Sequence, residues 1–93
     1  MPGTTTRLDA AARDELCRRL RSIEGQARGI QRMLDDDRDC HEIMDQLAAL
    51  RAASTAAGLQ AFRAFALHCL QAGGAPSQDV ASRLTGMVAK LTH

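Results

Sequence analysis

Residues 40–72 read CHEIMDQLAALRAASTAAGLQAFRAFALHCLQA and contain no proline. Apolar side chains recur along this stretch at intervals that match one side of an α-helix, and alanine dominates its middle. The apolar positions include Ile43, Leu47, Leu50, Ala57, Ala61 and Leu70. This pattern predicts a single long helix, around which the rest of the chain must be arranged.

Two cysteines mark the ends of this predicted helix. Cys40 and Cys69 are 29 residues apart in the sequence, which corresponds to about 44 Å along a helix. They therefore cannot meet within one subunit. If the same helix of a second subunit packs antiparallel, Cys40 of one chain lies beside Cys69 of the other, and shared thiol chemistry falls at a subunit interface at both ends of the dimer.

Shorter helical patterns flank the long helix. Apolar residues at steps of three and four predict a first helix over about residues 6–34, with Thr6 as its N-cap after a flexible tail at residues 1–5. The acidic run at residues 35–38 predicts a tight turn, and Asp39 with Glu42 forms a capping box for the long helix.

A third helix is predicted over about residues 77–90, capped by Ser77 and separated from the long helix by Gly73–Gly74. The 93 residues form a single all-α domain. Because two long helices and one short helix cannot enclose a full core, a second protomer is expected to complete an antiparallel four-helix bundle.

Composition excludes several classes of protein. The chain has no apolar run of about 18 residues and no charged-then-apolar leader, so we expect no membrane span, no secretion and a cytosolic location. No nucleophile–base pair or cofactor motif is visible, so we expect no enzymatic activity. The net charge of +1 says little about partners.

The distribution of charge says more. On a helical wheel, Arg18, Arg21, Arg28 and Arg32 lie about 120° to 200° from Leu16, opposite the apolar stripe. No acidic residue one turn away is expected to interrupt this row, as it would on an ordinary solvated face. The row predicts contact with nucleic acid, whereas the alternative is an oligomeric scaffold whose arginines only face solvent.

Four segments of the chain together resemble the CsoR/RcnR family. They are RRLRSIEGQARGI at residues 18–30, the pair Asp39-Cys40, IMDQLAAL at residues 43–50 and the pair His68-Cys69. The resemblance covers about residues 15–72. It implies a transcriptional repressor with three helices per protomer, an antiparallel four-helix dimer and a tetramer built from two dimers.

The resemblance also implies how such a repressor works. Operator DNA is bound by basic residues of the first two helices, here Arg18, Arg19, Arg21 and Arg51. An inducer at the site containing Cys40 then releases the DNA. Copper(I) sensors of the family carry a histidine at the position where this chain has Phe65. That histidine is therefore missing here.

A site with two thiols and no histidine resembles the persulfide-sensing CstR branch of the family. We therefore predict that Cys40 and Cys69 of the partner chain sense persulfide, with no cofactor and no bound metal. Two alternatives stay open: Cu(I) held by both thiolates, and formaldehyde sensed through Pro2 and Cys40. Neither His41 nor His68 is expected to be a ligand, and Cys17 is expected to be a buried structural thiol.

Overall fold

A computed structural model describes residues 7–71 and 78–92 of the chain. This part contains three α-helices, α1 (Ala10–Asp35), α2 (Cys40–Gln71) and α3 (Gln78–Thr92), and no strand. The all-α class is therefore confirmed. α1 folds back along α2, and α3 packs against α2. No helix of the described residues is long and apolar enough to cross a bilayer.

The start of α1 differs from its prediction. Asp9 is the N-cap, and its side chain accepts a hydrogen bond of 2.8 Å from the backbone N–H of Ala12. Residues 7–9 are not helical, so placing the start of the helix at residue 6 was wrong. Asp9 can satisfy the free amides of the first turn directly, and three alanines follow it at residues 10–12.

Several predicted boundaries lie outside the described residues, namely the tail at residues 1–5, Pro2, Thr6, Gly73–Gly74 and Ser77. The last helix extends to Thr92, two residues beyond its predicted end.

The tight turn after α1 is present and has a defined hydrogen-bonding pattern. The backbone N–H of Arg38 donates to the carbonyl of Met33 at 2.9 Å, and that of Asp37 donates to the carbonyl of Leu34 at 3.2 Å. This pair of bonds is a Schellman motif, which requires a left-handed residue after the helix. Asp37 occupies that position with φ of 55°.

Asp39 caps α2 as predicted, but Glu42 has another partner. The Asp39 carboxylate accepts a hydrogen bond of 3.0 Å from the backbone N–H of His41. The Glu42 carboxylate pairs with the Arg38 guanidinium at 2.5 Å, whereas the capping box predicted for it requires the amide of the capping residue. The ion pair thus ties the turn to the first turn of α2.

The protomer does not close around a core. Within the described residues only Ile30 of α1 and Ala57 of α2 are buried. The large apolar residues that stay exposed are Leu20, Leu34, Met44, Leu47, Leu59, Leu67, Leu70 and Val88. The radius of gyration is 17.3 Å, against about 12 Å for a compact chain of this length. The described chain is therefore open and elongated, and much of its apolar surface is uncovered.

Gly58 allows α3 to approach α2 closely. A Cβ atom at this position would overlap the side chain of Leu91 on α3. The side of α3 that faces α2 carries Val80, Leu84, Met87 and Leu91, at steps of four, three and four residues. Contact at Gly58 thus holds one end of this stripe against α2.

Replacing Asp37 by glycine is expected to stabilise the protein. A left-handed conformation costs a residue with a side chain about 1 kcal/mol, and glycine adopts it freely. The midpoint of thermal unfolding, followed by far-ultraviolet circular dichroism, should therefore rise. Asp36→Gly is the matched control, because it removes the same charge where φ is −88°. If the unfolding midpoint of the control rises equally, the loss of charge explains the gain and the backbone conformation does not.

Candidate functional site

The two cysteines of α2 lie on the same side of the helix, at its opposite ends. Cys40 is the first residue of α2 and is exposed, whereas Cys69 lies near its end and is half-buried. Their separation corresponds to about eight full helical turns, so both side chains leave the helix in nearly the same direction. Phe65, one turn before Cys69, is half-buried on this side too.

An open apolar groove runs along the same part of α2. It has a volume of about 720 Å³ and is lined by Met44, Leu47, Ala48, Arg51, Ala52, Thr55, Ala56 and Leu59. Met44, one turn after Cys40, is 62% exposed. Small residues in the middle of the groove would let a second helix approach closely. Cys40 thus lies one turn before the start of this open groove, whereas Cys69 lies beyond its far end, which Leu59 marks.

Cys69 also borders a small cavity between α2 and α3. The cavity has a volume of about 10 Å³, close to the space that one water molecule needs. Val80, Arg83, Leu84 and Met87 of α3 form its other walls. Sequence reasoning missed these neighbours of the thiol, because nothing in the pattern of α3 indicates the depth at which it docks on α2.

The histidines of α2 are placed away from this cavity. His68 lines a different pocket, together with Asp9 and Ala12 at the start of α1. His41 is exposed at the first turn of α2. Among the described residues of one chain, no three His, Cys, Asp or Glu side chains come together as a metal site.

The arginines of α1 form an exposed row, which we call the arginine face (Arg18, Arg21, Arg28 and Arg32). It lies opposite Ile30, the buried residue of this helix. Arg19 lies on the flank and is half-buried. Arg51 lies elsewhere, in the groove of α2.

Contrary to the sequence prediction, an acidic partner does interrupt this row. Glu15 accepts a hydrogen bond from the Arg18 guanidinium, and its second carboxylate oxygen lies 3.3 Å from Nε of Arg19. The hydrogen bond from Arg18 is the main reason why the pKa of Glu15 lies below its ordinary value. Glu15 precedes the row by three residues and lies one helical turn before Arg18 and Arg19, which brings its carboxylate within reach of both.

Cys17 is exposed on α1, so the prediction of a buried thiol was wrong. On the helical wheel it lies about 100° from Leu16, towards the arginine face. The helix that packs on α1 covers only the opposite side, where Ile30 lies.

Comparison with known families identifies the chain. A family model described as metal-sensitive transcriptional repressor matches residues 12–92. The chain belongs to this family. The resemblance of the stretch RRLRSIEGQARGI at residues 18–30, with its flanking residues, to the CsoR/RcnR family is thereby confirmed. Members of the metal-sensitive repressor family are transcriptional repressors rather than enzymes, which confirms the non-enzymatic prediction.

Two characterised members of the metal-sensitive repressor family are similar to the chain. The copper-sensing transcriptional repressor CsoR of Bacillus subtilis (strain 168) is 41% identical over 58 residues, which cover 62% of this chain and 57% of CsoR. The copper-sensing transcriptional repressor RicR of Mycobacterium tuberculosis is 34% identical over 70 residues, covering 72% of this chain and 73% of RicR. The chain thus matches little more than half of CsoR. No solved structure matches it significantly.

Proposed function

We propose that this protein is a DNA-binding transcriptional repressor that Cu(I) releases from its operator. The observation that carries the proposal is the pair of thiols, the exposed Cys40 and the half-buried Cys69, which lie on the same side of α2 at its opposite ends. Two relatives that sense copper support this inducer over the persulfide predicted from the sequence. In this proposal the metal joins two subunits.

The groove of α2 supports the dimer that this site needs. An apolar surface of this size is unfavourable in water, and a second α2 packed antiparallel would cover it. That arrangement brings Cys40 of one subunit to Cys69 of the other at each end. Two such dimers would form the tetramer that the resemblance implies.

The donor atoms present suit monovalent copper. Thiolate sulfur is a soft ligand that selects Cu(I) over harder ions, and two thiolates can hold it in linear coordination. Phe65 offers no donor atom, and His68 faces the start of α1. Cys40 and Cys69 of the partner would therefore hold the ion, and the bound ion would supply a covalent-strength link between the subunits.

The turn between α1 and α2 gives the thiol site a route to the arginine face. Cys40 follows the turn directly, and the Arg38–Glu42 ion pair and the bonds to Met33 and Leu34 fasten that turn to both helices. A displacement of Cys40 towards the partner thus tilts α1 as a rigid unit. The arginine face, with Arg19, would then lose its register with the DNA phosphates, whereas Arg51 lines the groove and would face the partner helix in this dimer.

A binding experiment tests this function. The reduced protein is titrated onto fluorescent DNA from upstream of its own gene, and anisotropy is followed at several salt concentrations with and without Cu(I). We expect tight binding that weakens as salt rises, with a slope of about 0.9 per phosphate contact, and release at one Cu(I) per site. Absence of binding at low salt would leave the scaffold interpretation instead.

Persulfide is the second candidate inducer, and the side chain that favours it is Phe65. In this case the outer sulfur of a small persulfide transfers to the Cys40 thiolate and releases the parent thiol. Cys69 of the partner then displaces hydrogen sulfide and forms an inter-subunit disulfide. Intact mass after treatment with a persulfide donor distinguishes the two inducers, because only this route gives a covalent dimer.

Replacing Glu15 by glutamine is expected to strengthen DNA binding about two- to fivefold, the scale of an exposed ion pair. The carboxylate holds Arg18 and Arg19, so it competes with phosphate for both. Anisotropy with operator DNA measures the change. Glu24→Gln is the matched control, since it removes the same charge from an exposed position on the same helix. An equal gain in both variants would mean that net charge, not the ion pair, sets the affinity.

A further inference from the structure

The cavity beside Cys69 is lined by a second sulfur-containing residue. Met87 of α3 lines the same space as Cys69, and Arg83 of α3 borders it too. The remaining walls, Val80 and Leu84, are apolar. At about 10 Å³ the cavity is of the size of a single small ion or water molecule.

We infer that the thioether of Met87 is a third sulfur ligand of the Cu(I) site, added to Cys69 of the same chain and Cys40 of the partner. This inference rests on the proposed copper-sensing function. Thioether sulfur is a soft, uncharged donor of the kind that selects Cu(I). Phe65 occupies the preceding turn of α2, and no histidine of the described residues lines this cavity.

The packing of α3 holds Met87 in position. Leu91, one turn beyond Met87 on the same side of α3, lies against Gly58 of α2. The close contact at Gly58 thus anchors the end of α3 and keeps the stripe that contains Met87 against α2. Because Cys69 and Met87 already line one cavity within a protomer, only Cys40 has to arrive from the partner.

The charge at the cavity also suits this assignment. Two thiolates and one Cu(I) carry a net charge of −1, and a neutral thioether leaves that charge unchanged. Arg83, which also lines the cavity, carries a positive charge that would balance it. A third thiolate or a carboxylate would add negative charge, and none lines the cavity.

Met44 is the competing methionine and serves as the control. It lies one turn after Cys40, on the groove that a second α2 would cover, and it is 62% exposed. Met87→Leu and Met44→Leu make the same chemical change at the two positions. Leucine and methionine have similar volumes, so the packing of α3 should tolerate the exchange.

The experiment uses the reduced full-length protein loaded with Cu(I). Affinity is measured by competition with a Cu(I) chelator, and the number of sulfur ligands is measured by X-ray absorption at the copper edge. We expect three sulfur ligands in the wild type and also in Met44→Leu, which is the control variant. In Met87→Leu we expect two, with Cu(I) affinity lowered by about tenfold or more, as loss of a supporting group lowers it by about 10- to 100-fold.

Adding Phe65→His to Met87→Leu should restore a third ligand, now nitrogen, and much of the affinity. Two sulfur ligands in the wild type, or a loss confined to Met44→Leu, would overturn the role of Met87 while copper sensing stands. Failure of the wild type to bind Cu(I) at all would overturn both proposals.

Discussion

Replacing Ala48 by glutamate is expected to separate the subunits. Ala48 is exposed in the isolated protomer and lines the groove of α2. In the proposed dimer, each glutamate would be carried into the interface, and even beside Arg51, which lines the same groove, its loss of hydration costs about 3 kcal/mol or more. The dimer association constant should therefore fall by at least about 10²-fold, as measured by sedimentation equilibrium.

Ala49→Glu is the matched control for this variant. Ala49 is also exposed, but it is one residue further along α2 and does not line the groove. The same new charge should therefore leave the association constant within a few-fold of the wild type. A dimer that survives Ala48→Glu, with circular dichroism showing intact helices, would mean that the subunits do not pair through this groove.

Replacing Cys40 by alanine is expected to abolish release of DNA by Cu(I) and leave DNA binding itself intact. Cys40 supplies one of the two thiolates of the proposed site, and the arginine face is on another helix. Cu(I) affinity should fall by more than about 100-fold. Loss of a residue that only supports a ligand lowers metal affinity by about 10- to 100-fold, and loss of a ligand itself should lower it further. Cys69→Ala should behave in the same way, whereas Cys17→Ala, which changes an exposed thiol of α1, should respond normally.

Mixing the two defective chains tests whether the site is shared between subunits. A heterodimer of Cys40→Ala and Cys69→Ala chains keeps one complete pair, formed by Cys40 of one chain and Cys69 of the other. It should bind one Cu(I) per dimer, whereas either homodimer binds none tightly. If the mixture regains no site, the antiparallel pairing of the α2 helices is wrong.

Local patterns in the sequence predicted much of the fold. The apolar spacing of α2, its Asp39 cap and the acidic turn before it all depend on residues within a few positions of one another. The start of α1 was misplaced because both Thr6 and Asp9 can cap a helix. The choice between them depends on backbone conformation, which composition does not reveal.

The candidate site divides in the same way. The positions of Cys40 and Cys69 along α2 follow from counting residues. The exposure of Cys17 was predicted wrongly. Cys17 lies at the edge of the apolar stripe of α1, and such an edge position is buried or exposed according to how α2 packs on α1. The ion pairs of Glu15 with Arg18 and Arg19 depend on side-chain conformations, which the order of charged residues in the sequence does not specify.

By itself, the sequence determined that this chain is helical, where its long helix runs, and that its two thiols cannot meet within one subunit. These properties follow from helical periodicity and rise, which are the same in every protein. Only the tertiary structure decided that α3 lies across Cys69 and brings Met87 and Arg83 to its cavity. Such contacts join residues distant in sequence, and they depend on how closely two helices pack, here at Gly58.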